Sequence, residues 1–166
     1  MTQEKIEKLY ETCYMRVFSY AMTLAGERSQ AEEITQETFF RAFSKQSEFR
    51  GESDEVTWLC AIAKNYWLDE KRRGKRTEAM PEEMTDLGSG PEQAAVDRDS
   101  SFRIHMALHQ LEEPYREVFT LRTFCDLSHA QIAGLFGKSE AWSRVTYYRA
   151  RQMLQDAMKE NENEKE

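Results

Sequence analysis

No run of apolar residues approaches the roughly eighteen needed to cross a bilayer, and the opening MTQEKIEKLY is charged and amphipathic, unlike a secretory signal. Cysteines number three, Cys13, Cys60 and Cys125, widely spaced and odd in count. That excludes a disulfide framework and any pair with metal-finger spacing, and it implies reduced thiols in a cytoplasmic setting. There is no glycine-rich phosphate loop, no nucleophile elbow and no HExxH. His105 and His109 lie four apart, but no third ligand stands at matching spacing, so a solvated or partly buried pair is the simpler reading. Catalytic residues, cofactors and a small-molecule substrate are therefore not expected. No segment alternates polar and apolar residues at period two, which leaves little room for sheet.

What remains is charge and helical periodicity. The net charge of −7 argues at first against a nucleic-acid binder. Its distribution argues the other way. Lys64, Lys71, Arg72, Arg73, Lys75 and Arg76 form one basic island, and Lys138 to Arg151 forms a second. Seven acids fall between Glu78 and Asp99, and the tail after Gln155 is acidic again. Such a chain can touch DNA at two defined places while its net charge restrains non-specific binding.

The periodicity predicts an all-α protein. Leu9, Cys13, Val17, Ala21 and Leu24 recur at helical spacing, flanked by Tyr10, Tyr14 and Phe18. Ser29 to Glu32 has the form of a capping box opening a second helix that runs through Phe43. A loop from Ser47 to Asp54 precedes a third helix, about Glu55 to Arg73, ended by Gly74. Residues 77–100, with Pro81, Gly88, Gly90 and Pro91, break every period and read as a flexible acidic linker. Helical spacing resumes from Phe102 to Leu111 and again after Pro114, followed by helix, short turn and helix over Ser128–Phe136, Gly137–Glu140 and Ala141–Met158. Two small helical domains result, 1–76 and 101–158, with a charged tail at 159–166.

Three segments carry interaction chemistry. In the last two helices Ser128 suits a cap, Ala133 a close helix approach and Gly137 a tight turn, the needs of a helix-turn-helix whose second helix enters the major groove. At 100° per residue, Ser143, Tyr147, Ala150 and Leu154 share the core side of that second helix. Trp142, Arg144, Val145, Tyr148 and Arg149 face the other way, where arginines grip phosphate or guanine and apolar groups sense a thymine methyl. An ordinary helical hairpin is the alternative, and Trp142 has near-equal reason to fold back on the first helix. In the 31–43 segment, Ala31, Ile34, Thr38 and Ala42 turn inward while Phe40 projects among Glu33, Gln36 and Glu37, like a protein-binding hot spot; a solvated helix with Phe40 on a neighbouring loop is the competing picture. In the third helix Leu59, Ile62, Ala63 and Tyr66 form an inner face. Trp58, Asn65 and Arg72 line one flank, with Lys64 and Lys71 beside them, a combination suited to unpaired bases. Taken alone, an aromatic-rich amphipathic helix is more often core.

Five segments in this order and spacing, Ala31–Phe43, Phe49–Ser53, Thr57–Asn65, Leu111–Phe119 and the helix-turn-helix, together resemble the extracytoplasmic-function (ECF) sigma factors, over nearly the whole chain from Leu9 to Leu154. The resemblance implies that residues 1–76 bind the polymerase clamp helices and open the −10 element. Glu33, Gln36, Glu37, Phe40 and Arg41 match the clamp-binding helix. Phe49, Arg50, Gly51, Glu52, Ser53 and Asp54, with Asn65, match the part that captures a flipped −10 base, supported by Trp58, Lys64, Lys71 and Arg72. Residues 101–158 would read the −35 element, through Lys138, Ser139, Trp142, Arg144, Val145, Tyr148 and Arg149, and meet the polymerase flap. The linker would thread toward the RNA exit path. Promoter DNA, core RNA polymerase and an anti-sigma factor are the implied partners.

One departure stands out. Such recognition helices usually carry an aliphatic residue where this chain has Ser143, and more basic residues around Val145 and Thr146, so the −35 sequence read here does not transfer from other members. Two other classes stay open at this point: a free-standing regulator, dimeric on a palindromic site, and a sigma-like decoy that binds polymerase without directing initiation.

Overall fold

The computed structural model describes residues 3–49, 54–74, 103–104 and 106–164. Every regular element among them is helical. The first is α1 (Gln3–Ala25), whose buried stripe of Ile6, Leu9, Cys13, Val17, Tyr20 and Ala21 follows the 3.6-residue repeat. Gly26 ends it with φ +72, a conformation that favours glycine. A Cβ there would also stand 3.2 Å from the His109 ring.

The turn spent on Gly26 is so short that α2 (Arg28–Ser44) starts at once, with Glu27 extended at its N-cap. This corrects the expected capping box at Ser29. Ser29 is already inside the first turn, where its hydroxyl donates to Glu27 Oε1 at 2.6 Å, and Glu32 pairs with Arg28 at 3.2 Å. Ala31, Ile34, Thr38 and Ala42 are buried as their spacing predicts; Thr35 and Phe39 join them. A 3-10 turn, Gln46–Glu48, leads toward α3 (Glu55–Arg73), capped by Gly74. Ile62, expected on the inner face of α3, is only half-buried, while Cys60 and Thr57 lie deeper.

After the helical residues 106–110 come α4 (Tyr115–Thr123), α5 (His129–Phe136) and α6 (Glu140–Glu164). A true capping box opens α5. Ser128 Oγ accepts from the Gln131 N–H at 3.1 Å, and Gln131 Oε1 accepts from the Ser128 N–H at 2.8 Å. Gly137 closes the helix with φ 65, ψ 35, and Ser139 Oγ then accepts from the Trp142 N–H, starting α6. Short connections and strong stop signals thus hold α5 and α6 as a helix-turn-helix.

The two helical groups share a core. Val118, Leu121, Cys125, Leu127 and Ile132 belong to the same buried cluster as Leu9, Val17, Tyr20, Leu59, Cys60 and Ala63. A smaller cluster, Ala107, Leu108 and Leu154, ties the helical residues 106–110 to α6. Across the seam Thr23 and Thr120 hydroxyls meet at 2.9 Å, and the Cys125 thiol donates to the Arg16 carbonyl at 3.3 Å. Lys64 Nζ lies 2.8 Å from Glu117 Oε1, an oxygen that also accepts from the Tyr20 hydroxyl. Tyr20 is fully buried, and burial followed by the Glu117 charge pushes its phenol well above its ordinary range. The hydroxyl therefore stays protonated and donates.

Candidate functional site

Three surfaces present the residues singled out by sequence. The first is the outer face of α2. Phe40 is 65% exposed, and Phe43, one turn on, is 44% exposed. Around them Glu33 and Gln36 are exposed and Glu37 is half-buried. Arg41 donates to Glu37 Oε1 at 3.1 Å and holds its guanidinium 4.9 Å over the Tyr66 ring. Tyr66, from α3, donates to Glu33 Oε1 at 3.1 Å; burial and that bond push its phenol up to about 12. The charged rim is thus braced from behind, while the aromatic centre is left to solvent. Sequence reasoning missed Phe43, although its i, i+3 relation to Phe40 puts the two on one face.

The second surface runs along α3. Asn65, Lys71 and Arg72 are exposed, with Arg72 3.9 Å from Asp69. Trp58 is half-buried, its ring 4.9 Å from that of Phe49, so these two aromatics pack on each other. Asp54 sits at the N-cap of α3 without a side-chain capping bond. Arg50, Gly51, Glu52 and Ser53 lie outside the described residues, as does the linker 77–100. Lys64 does not share this surface. It is turned into the seam, its side chain 17% exposed, between Glu117 and the Phe136 ring, whose centroid is 3.7 Å from Nζ.

The third surface is the outer face of α6. Val145 is 48% and Tyr148 63% exposed, with Arg144 and Arg149 exposed beside them. Arg144 is held by Glu140 at 2.5 Å, one turn earlier. Lys138 and Ser139 are exposed at the turn, Ser139 serving as a cap. Trp142 is folded back, its ring 5.2 Å from that of Phe136. On the core side Ser143 and Ala150 are fully buried, Leu154 is 5% exposed and Tyr147 stacks on Phe119. Buried Thr146 joins them, a position that the simple helical projection passed over.

The described residues hold no cluster of three metal-ligating side chains. His109 is half-buried, and burial together with Arg116 lowers its pKa; His105 lies outside the described residues. No described helix is long and apolar enough to cross a membrane.

These faces can be set beside known proteins. The family model for Sigma-70 region 2 matches residues 9–77, and that for Sigma-70 region 4 matches residues 101–154. RNA polymerase sigma factor YlaC of Bacillus subtilis is 28% identical over 98% of this chain and 96% of its own length. ECF RNA polymerase sigma factor SigE of Mycolicibacterium smegmatis is 32% identical over 90% of this chain, which spans 60% of that longer protein. Among solved structures, the sigma factor RpoE of Bartonella quintana, in complex with the anti-sigma factor NepR, superposes with a TM-score of 0.78 over 94% of this chain and 98% of that one, at 21% identity. CnrH, in complex with the cytosolic domain of CnrY, gives a TM-score of 0.69 at 19% identity, covering 95% and 90% of the two chains. The order of regions, the relatives and the helical architecture agree: the chain belongs to the ECF sigma factors of the sigma-70 family.

Proposed function

We propose that this chain recruits core RNA polymerase to promoters, with residues 1–76 engaging the clamp helices and the −10 element, and residues 101–158 engaging the −35 element and the flap. It carries out no covalent chemistry. The carrying observation is that one chain bears two distinct exposed faces: the acid-rimmed Phe40 of α2 and the aromatic-basic face of α6. A free-standing regulator needs only the second. Glu33, Gln36, Glu37, Phe40 and Arg41 form the clamp contact in this reading. Phe49 to Asp54, Asn65, Lys71 and Arg72 serve the −10 element, with the Trp58 and Phe49 pair as a stacking platform. Lys138, Arg144, Val145, Tyr148 and Arg149 read the −35 element, with Ser139 setting the turn.

The closed packing gives Lys64 a different part. A lysine committed to Glu117 cannot hold a DNA phosphate, so Lys64 serves −10 DNA only once the seam has parted. Assembly on polymerase separates the two groups and spreads them over their elements, raising the effective concentration of each. An anti-sigma factor in the cytoplasm would work against this by holding the groups together. RpoE, which shares this fold, is named in a structure with the anti-sigma factor NepR, and CnrH, which shares it too, in one with the cytosolic domain of CnrY.

Because the chain carries a net charge of −7, its unaided affinity for duplex DNA should be low at physiological salt. Gel shift and footprinting with the protein alone, then with core polymerase, test this. Sequence-specific protection that needs polymerase is the expected result. Nanomolar, specific binding by the free chain would overturn the proposal in favour of a free-standing regulator.

A further inference from the structure

The helix-turn-helix contains a polar contact where two helices cross. His129 is the first residue of α5, and its Nδ1 lies 3.0 Å from the hydroxyl of Ser143 on the inner face of α6. Ser143 is 0% exposed, so its hydroxyl is shielded from water and depends on a protein partner. One turn further along α6, the Tyr147 ring meets the His129 ring edge-on at 5.7 Å and also stacks against Phe119 of α4 at 5.7 Å. The imidazole therefore sits in a notch between residues i and i+4 of the recognition helix. A small side chain at 143 is what makes room for it. Backbone caps fix the start of α5 independently, through Ser128 and Gln131.

We infer that His129 is a positioning residue for promoter reading: its ring fixes the rotation and register of α6, and so decides where Arg144, Val145, Tyr148 and Arg149 meet the groove. The geometry is direct. Ser143 adjoins Arg144 in sequence, and Tyr147 adjoins Tyr148. A helix rotated by a fraction of one residue's 100° step swings every outward side chain across the floor of the groove. The inner contact is directional, a hydrogen bond and an edge-on ring, whereas an aliphatic contact would allow the helix to slide. In neutral imidazole one ring nitrogen donates and the other accepts, so Nδ1 can match either role of the Ser143 hydroxyl. Burial, then Arg122 of α4 and Arg144 of α6, lower the pKa of the ring, against Glu140 of α6, which favours the proton. The neutral ring is thus the working form.

This inference rests on the reading of α6 as the −35 reader, and the test separates the two. The probe is promoter DNA selected by the wild-type holoenzyme from a library with a randomised upstream element, footprinted with full-length chain on core polymerase. His129→Ala and Ser143→Ala should each lower upstream protection about tenfold and broaden the selected sequence. The double variant should lose no more than either single one, because both remove the same contact. His129→Asn, whose amide can stand near Nδ1, should restore most of the protection and the original preference. Binding to core polymerase and the thermal midpoint of the Asn variant should stay as in wild type. Additive losses, or an Asn variant as poor as the Ala one, would overturn the inference. Arg144→Ala combined with Arg149→Ala serves as the control. If that variant keeps full upstream protection, the −35 reading itself fails; if it loses protection while the His129 variants match wild type, only the positioning role fails.

Discussion

Single side chains decide which surfaces are available for partners. Phe40 is left in solvent although it is a large aromatic, and its neighbours Glu33 and Arg41 are braced by Tyr66. Phe40→Ala with Glu37→Lys should therefore keep the fold, because neither side chain fills the core; a buried phenylalanine would cost about 3–5 kcal/mol on truncation. Circular dichroism and a polymerase binding titration check this, and a folded double variant that binds as well as wild type removes the face from the account. Asn65 is exposed on α3 beside the basic end of that helix. Asn65→Ala should depress open-complex formation more than polymerase binding, and equal initiation from duplex promoters would strike it from the −10 group. His109 and His129 both have pKa values lowered by burial, so their neutral forms belong to the folded state. Their stabilisation is complete above pH about 6.5, the ordinary histidine value, and is lost as pH falls through their folded values. Chemical denaturation between pH 7.5 and 5.5 should show that decline, and His129→Asn should make it shallower.

At the level of helices, the sequence was most legible where the chemistry is local. The cap at Ser128, the left-handed Gly137 and the inward stripe of α2 follow from propensities that need no knowledge of the rest of the chain. Ser128→Ala should cost about 0.5–2 kcal/mol, the range for a lost N-cap, read as a lowered denaturation midpoint; an unchanged midpoint would mean that the capping box adds nothing. Local signals also misled. Ser29 has the right spacing for a box, but a two-residue turn placed it inside α2. Helical projection leaves Trp142 between two orientations because it fixes direction and not what lies across the gap; Phe136 is what the ring meets. Ser143 departs from the aliphatic pattern of such helices, and the residue it meets, His129, stands fourteen residues earlier in the chain. Contacts between helices are not written in either helix alone.

The whole molecule is where the sequence said least. Two basic islands and an acidic linker pointed to two separate groups, yet the described helices share a core across which Lys64 meets Glu117 and Tyr20. Nothing in the periodicity of α3 distinguishes a lysine bound for DNA from one bound for a carboxylate 53 residues away. Removing Lys64 takes the cation away from the Glu117 carboxylate, which is 7% exposed in the seam and keeps the Tyr20 hydroxyl as a donor. Opening lets water reach it, so Lys64→Ala should favour the parted form. Cys125 is 1% exposed at the seam, and its alkylation, followed by peptide mass spectrometry, should speed up in that variant while helix content holds; an unchanged rate would mean that the pair does not keep the seam shut. The central claim is that this chain lends core polymerase the ability to start at particular promoters. Run-off transcription with core polymerase, fragmented genomic DNA and the purified chain tests it most directly. Discrete transcripts with wild type, lost with Phe40→Ala/Glu37→Lys and with Arg144→Ala/Arg149→Ala, are the predicted result; polymerase that binds the chain yet makes no promoter-specific transcript would contradict the account.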